Sequence, residues 1–294
     1  MGSETAPFPF ARPDPIDPRL ATAAVEGDRA ALEELLRRHQ RWVFNLARRM
    51  LHREDDAADA TQEILVKVAT RIAQFEGRSA FRTWLYRIAT NHLLRRRGRR
   101  ELEDLTFDRF RQELDDFPDA ALPETDIPDD LLLKESLTSC TTGMLLCLSR
   151  EQRMVYILGS IFGVTDVVAA EILEISPVAY RKRLSRARAH LQAFMQGQCG
   201  LVDARNPCRC RKKTKAFVDA GHIRPDRLTF SSDRLQTVSD MLPGAVQAIF
   251  DLDRAYAGLF RSHGFYHPPR DLAAEVSALL ETPSAETLIR EDPD

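Results

Sequence analysis

Between Arg78 and Arg100 there are eight arginines and no acidic residue. Aromatic side chains interleave with the first of them in Phe75-Glu76-Gly77-Arg78-Ser79-Ala80-Phe81-Arg82-Thr83-Trp84-Leu85-Tyr86. Cations neutralise phosphates and flat rings hold unstacked bases, so this pattern suits single-stranded nucleic acid. Arg78, Ser79, Arg82, Thr83, Arg87, Asn91 and Arg95 are the candidate contacts. Phe81, Trp84 and Leu85 fall at i, i+3, i+4 and read as packing, Trp84 mainly so. A second basic block, Ile175 to Lys215, sets eleven bases against Asp203 alone. Between the two blocks, Glu101 to Glu135 carries thirteen carboxylates against three bases. The net charge of −2 therefore hides two polyanion grips separated by a segment that repels polyanions.

The elements that must carry these residues are helical. Period-3.6 patterns dominate and strand signals are weak, which predicts an all-α fold. Helices are expected over about Asp17–Glu26, Arg29–Leu51 and Glu54–Phe75, with a fourth from an N-cap at Ser79 to about Arg97. These make one domain over residues 17–100, preceded by a disordered leader over 1–16. The helix from Glu54 buries Ile64, Leu65, Val68 and Ile72 and turns Asp56, Asp59, Gln62, Glu63 and Val66 outward. An acidic face with one exposed valine suits a basic protein partner and not DNA. Pro118, Pro123 and Pro128 amid carboxylates make residues 101–130 an extended acidic linker.

A second helical domain spans residues 131–196, with breaks near Gly143, Gly163 and Ile175-Ser176. Ser176 as N-cap and Pro177 at the first helical position start a helix with Leu184, Ala187, Leu191 and Phe194 on its apolar stripe. Val178, Ala179, Lys182, Ser185 and Arg186 face the other way, with Arg183 beside them, and Ser176 and Arg188 complete the candidate duplex contacts. That is the layout of a helix-turn-helix recognition helix, small residues and Lys182 reaching base edges and arginines holding phosphates.

Residues 197–294 form a C-terminal extension: a Cys- and base-rich loop over Cys199–Lys215, then helices, one over Pro243–Arg261. Five cysteines without a secretory signal favour a reducing cytoplasm. Cys199, Cys208, Cys210 and His222 could supply four zinc ligands, but C-x-C lacks the usual paired spacing, so the expectation is no cofactor. As free thiols, they would have their pKa lowered by nearby Arg209, Arg211 and Lys212. No apolar run spans a bilayer. Tyr256, His263 and His267 build no catalytic constellation, so no enzyme is expected.

Asp55-Asp56-Ala57-Ala58-Asp59-Ala60-Thr61-Gln62-Glu63 and Phe75 to Asn91 closely resemble the promoter-melting domain of bacterial sigma factors of the extracytoplasmic-function group. Leu148-Ser149-Arg150-Glu151-Gln152-Arg153, Ala169 to Leu173 and Arg181 to Ala189 resemble that family's second DNA-binding domain. The resemblance covers about residues 20–196. It implies that Asp56, Asp59, Gln62, Glu63 and Val66 dock on core RNA polymerase and that the Arg78–Thr83 loop captures a flipped −10 base, with Arg87, Asn91 and Arg95 also on the −10 DNA. The Ser176–Arg188 helix would read the −35 element and the acidic linker would thread the polymerase channel. It also implies promoter DNA as a partner, and leaves an anti-sigma factor or the extension as regulator. The chain departs from the family at Glu174, where glycine is usual at the turn, and at Tyr180, which is bulkier than usual. Two other classes fit the residues less well: a stand-alone helix-turn-helix repressor, and a metal sensor fused to a DNA-binding portion.

Overall fold

The computed structural model describes residues 14–96, 105–116, 130–226, 228, 229, 260 and 266–281. The chain divides into two compact units, the first made of Met1–Arg96, Gly163–Tyr180 and Phe265–Asp294 and the second of Arg97–Phe162 and Arg181–Gly264.

In the first unit, α1 (Asp17–Val25), α2 (Arg29–Leu51), α3 (Glu54–Thr70) and α4 (Phe81–Arg95) pack together. Gly27 at φ 100° makes the turn into α2, and Asp28 caps it by accepting from the N–H groups of Ala30 and Ala31. Leu35, Leu36, Val43, Leu46, Ile64, Leu65, Val68 and Leu85 are fully buried, as the periodicity predicts. Glu54, Asp55 and Asp56 in the first turn of α3 sit at the positive end of its dipole. α3 stops at Thr70 and not near Phe75, because the chain tightens into a 3₁₀ turn over Ile72–Gln74. Ser79 does not cap α4: the flanking residue is Ala80, and the Ser79 hydroxyl donates to the Ala80 carbonyl at 3.5 Å.

A polar cluster ties α1 to α2. His39 Nε2 donates to Asp17 Oδ2 at 2.9 Å and Arg38 Nε to Asp17 Oδ1 at 2.8 Å. Burial alone would raise the Asp17 pKa, but the hydrogen bonds and charges of His39 and Arg38 outweigh it and the value is lowered. A carboxyl whose folded pKa lies below its unfolded one stabilises the fold above the ordinary carboxylate range and loses that contribution as pH falls through the folded value. Asp17→Asn is expected to destabilise the chain by on the order of 3 kcal/mol at neutral pH. It should also flatten the fall in stability below about pH 4; urea unfolding at several pH values measures both.

Two further segments belong to the first unit. One is α8, whose seven residues Asp166–Ile172 contact α4. The other is a C-terminal helix, α11 (Leu272–Leu280), which lies on α2 and α3. Asn45 exchanges two hydrogen bonds with the Tyr266 backbone, at 2.8 and 2.9 Å, and Gln40 Oε1 accepts from the N–H of Ala273 at 3.1 Å. Tyr266 covers the guanidiniums of Arg48 and Arg49, 5.5 and 5.8 Å from its ring centre. Burial, with the charge of Arg48 added, pushes Arg49 down to about 10.

The second unit contains α5 (Phe107–Asp115), α6 (Asp130–Leu146), α7 (Arg150–Tyr156) and α10 (Cys210–Asp219), with the body of α9 (Pro177–Gln198). A wide turn over Ile157–Ile161 continues α7. The acidic segment expected to be extended contains a packed helix. Thr106 caps α5 by accepting from the Arg109 N–H, and Phe107 and Phe110 lie 5.3 and 5.7 Å from the Phe194 ring. Phe110 comes so close to α6 that a Cβ on Gly143 would stand 2.8 Å from it. The aromatic burial outweighs the self-repulsion of the carboxylates around it. Pro118, Pro123 and Pro128 lie outside the described residues.

The Cys-rich segment is also partly helical. Cys199 pairs with Cys208 in an isolated parallel bridge, and α10 starts at Cys210. Lys213 is buried on α10 and donates to the Leu114 carbonyl. The expected Pro243–Arg261 helix lies outside the described residues except for Phe260, which is buried 5.2 Å from Tyr156. No described helix is long and apolar enough to cross a membrane.

Candidate nucleic-acid interface

The loop between the 3₁₀ turn and α4 is held from beneath by three rings. Phe75, Phe81 and Trp84 have centroids 5.5, 5.5 and 5.8 Å apart, so Trp84 is part of the support. Tyr86 is fully buried and stacks on Trp42 at 3.5 Å. Gly77 at φ 70° turns the loop outward, and Arg78 is left exposed with Glu76 as its neighbouring acid. Arg82, Asn91 and Ser79 are half-buried and Arg95 is exposed. Thr83 is not on the surface at all: it is 5 % exposed. α4 contacts α1, α2, α3 and α8, so its buried arc is wider than one apolar stripe and takes in Thr83.

Arg87 is directed at α8. Its Nη2 donates to the Glu171 carbonyl at 3.4 Å, and its Nη1 lies 3.7 Å from the Glu174 carboxylate. Glu174 follows the end of α8 with φ 54°, the left-handed region in which a side chain costs about 1 kcal/mol over glycine. The Ile175 N–H donating to the Ala170 carbonyl closes the turn. The turn has the geometry of the usual glycine and a glutamate in its place.

The outer face of α3 presents Asp59 and Glu63 exposed, with Asp56, Gln62 and Val66 half-buried beside them. Glu63 is anchored: Arg96 Nη1 is 2.7 Å and His92 Nε2 3.2 Å from its carboxylate. Arg96 and His92 thus brace this face. The sequence hinted at them only through the one-sided charge of α4.

On α9, Ser176 Oγ accepts from the Ala179 N–H at 3.2 Å, so the cap predicted from Ser176-Pro177 is formed. Its oxygen is thereby engaged. Val178, Lys182, Ser185 and Arg186 are exposed and Ala179 is half-buried. Ala187, Leu191 and Phe194 are buried with Tyr180, whose bulk fills core, while Leu184 is only half-buried. Two of the expected phosphate contacts turn back to the protein. Arg188 Nε donates to Ser160 Oγ at 3.1 Å, and Arg183 lies 3.5 Å from the Glu151 carboxylate.

The zinc alternative finds no assembled site. Cys210 starts α10 and His222 lies beyond its end, about 15 Å away along a ten-residue helix. Among the described residues no three His, Cys, Asp or Glu side chains are grouped to hold a metal ion. The expected lowering of the thiol pKa also fails at Cys199, where burial raises it; burial likewise pushes Cys147 up to about 12.

Comparison with known proteins gives two family matches: Sigma-70 region 2 over residues 35–102 and Sigma-70, region 4 over residues 140–191. The RNA polymerase sigma-H factor of Pseudomonas aeruginosa is 28% identical over 185 residues, covering 61% of this chain and 94% of that protein. The ECF RNA polymerase sigma-E factor of Escherichia coli K12 is 32% identical over 187 residues, covering 61% of this chain and 94% of its own length. A solved structure of CnrH in complex with the cytosolic domain of CnrY is 26% identical, covers 62% of this chain and 97% of that one, and superposes with a TM-score of 0.44.

Proposed function

The chain belongs to the sigma-70 family, in its extracytoplasmic-function group, and we propose the following division of that family's work among its residues. As a member, it binds core RNA polymerase, directs it to promoters and helps open the −10 element; it is not itself an enzyme. Residues 17–100 carry polymerase docking and −10 capture. Residues 131–196 carry −35 recognition, and residues 197–294 form the Cys/Arg-rich loop and helical C-terminal extension. The reading places the protein in the cytoplasm, where its polymerase works.

Docking falls to the α3 face of Asp56, Asp59, Gln62, Glu63 and Val66. The −10 strand meets Arg78, Arg82, Arg87, Asn91 and Arg95, with Ser79 at the loop edge. Extruding a base costs a few kcal/mol, offset by stacking and phosphate contacts. Val178, Ala179, Lys182, Ser185 and Arg186 read the −35 duplex. Arg183 and Arg188 serve it less directly, since both have partners in the protein. An anti-sigma factor is a further partner under this reading.

One observation carries the division. The outer face of α3 exposes Asp55, Asp59 and Glu63 and no base, while the loop before α4 exposes Arg78 and the outer face of α9 exposes Lys182 and Arg186 and no carboxylate. A single surface cannot serve a basic protein and a polyanion alike. The test is transcription from genomic promoter fragments with purified chain and core polymerase. Fragment-specific transcripts are expected with both, and none with either alone. Tight binding of a palindromic duplex by the chain without polymerase would overturn the reading in favour of a stand-alone repressor.

A further inference from the structure

We propose that Glu174 is an internal stand-in for a DNA phosphate, a latch that occupies Arg87 in the free chain and must be displaced before Arg87 can grip the −10 strand. The inference rests on the assignment of Arg87 to that strand.

Position 174 combines three features. The turn after α8 holds residue 174 at φ 54°, where glycine would sit without steric cost. The side chain there is not core: it is 57% exposed, so packing does not account for a glutamate. It points at an arginine, with its carboxylate 3.7 Å from Arg87 Nη1.

Glu171, one turn earlier, adds a carbonyl at 3.4 Å and a carboxylate at 4.0 Å to Arg87 Nη2. Arg87 Nε is buried without a hydrogen-bond partner among the described residues. The guanidinium is therefore drawn towards α8 without being fully satisfied there. No acid lies within Arg78–Arg100 to serve Arg87 from its own segment, and the oxygens that meet it come from the first helix of the helix-turn-helix and its turn.

The looseness of the contact suits a latch. An ion pair at these separations, with the Glu174 side chain mostly exposed, is weak and screened by salt. A bidentate bond would block the −10 grip permanently, whereas a weak one only lowers the fraction of chains whose Arg87 is available. Apparent affinity for nucleic acid falls by that fraction. The same contact joins α8 to α4 within the first unit, so a phosphate that takes Arg87 removes one tie between these two helices.

The test uses the full-length chain without polymerase, titrated against a fluorescein-labelled single-stranded oligonucleotide of mixed sequence and read by anisotropy. At low potassium chloride, Glu174→Gln and Glu174→Gly should each tighten binding about two- to fivefold. High salt should close the gap. Adding Arg87→Ala should erase the gain in both. The thermal midpoint should hold for Glu174→Gln and rise for Glu174→Gly, which relieves the turn, so the gain cannot be laid to unfolding. Unchanged affinity in both Glu174 variants, with Arg87→Ala still weakening the wild-type chain, would overturn the latch and leave Arg87 a DNA contact. No effect of Arg87→Ala in any background would overturn the −10 assignment, and the latch with it.

Discussion

Arg153→Ala is expected to cost the second unit about 4 kcal/mol and to abolish transcription directed by the chain. Arg153 is 6% exposed and sits in the first turns of α7. Its Nε donates to the Leu145 carbonyl at 2.9 Å, and its Nη2 to those of Leu146 and Leu148 at 2.8 and 3.2 Å. Two of the acceptors, the Leu145 and Leu146 carbonyls, belong to the last turn of α6 at the negative end of its dipole; Leu148 lies just past it, and its N–H also reaches the Leu145 carbonyl at 3.2 Å. A hydrogen bond from a charged donor contributes roughly 1.5–3 kcal/mol, and the carbonyls left behind are buried. Arg153→Lys should recover less than half, because an ammonium cannot fork towards three carbonyls at once. The midpoint of urea unfolding measures the loss. A shift equivalent to less than 1 kcal/mol by the usual urea slope would refute the account.

Asp59→Arg should lower affinity for core polymerase about 10- to 100-fold while leaving the thermal midpoint in place. Asp59 is exposed at the centre of the outer face of α3 and lies off the stripe of Ile64, Leu65 and Val68. Reversing one charge on a surface that meets a basic partner replaces attraction by repulsion, and most of the effect should appear in the association rate and its salt dependence. Asp59→Asn should weaken binding only about threefold. Equal affinity of Asp59→Arg and wild type for core, measured by surface-immobilised polymerase, would remove α3 as the docking face.

The helices that carry the grips were legible because their signals are local. The stripes of α2 and α3 follow the 3.6-residue period, and Ser176-Pro177 announces the start of α9 two residues before any tertiary contact matters. What escaped was non-local. Thr83 looked like a loop-edge hydroxyl and is buried because α4 is covered from several sides. Arg188 looked like a phosphate contact and turns to Ser160, 28 residues earlier in the chain. Phe107, Phe110 and Leu114 have helical spacing, but the carboxylates and prolines around them pointed to an extended chain. Glu174 stood out in the sequence as a residue out of place. Only the fold shows that Arg87 lies within its reach.

The clasp of Tyr266 and α11 onto α2 also has a bearing on time. Asn45 waits for a partner 221 residues later in the chain. At the usual pace of synthesis, that stretch takes roughly ten to fifty seconds to emerge. For that interval the Gln40–Arg49 side of α2, including the two arginines that Tyr266 later covers, faces solvent on the growing chain. The first unit must therefore fold around an unfinished surface and be closed last by a segment 221 residues further along its own chain. A ribosome that stalls within the extension would release a promoter-melting domain with that surface still open.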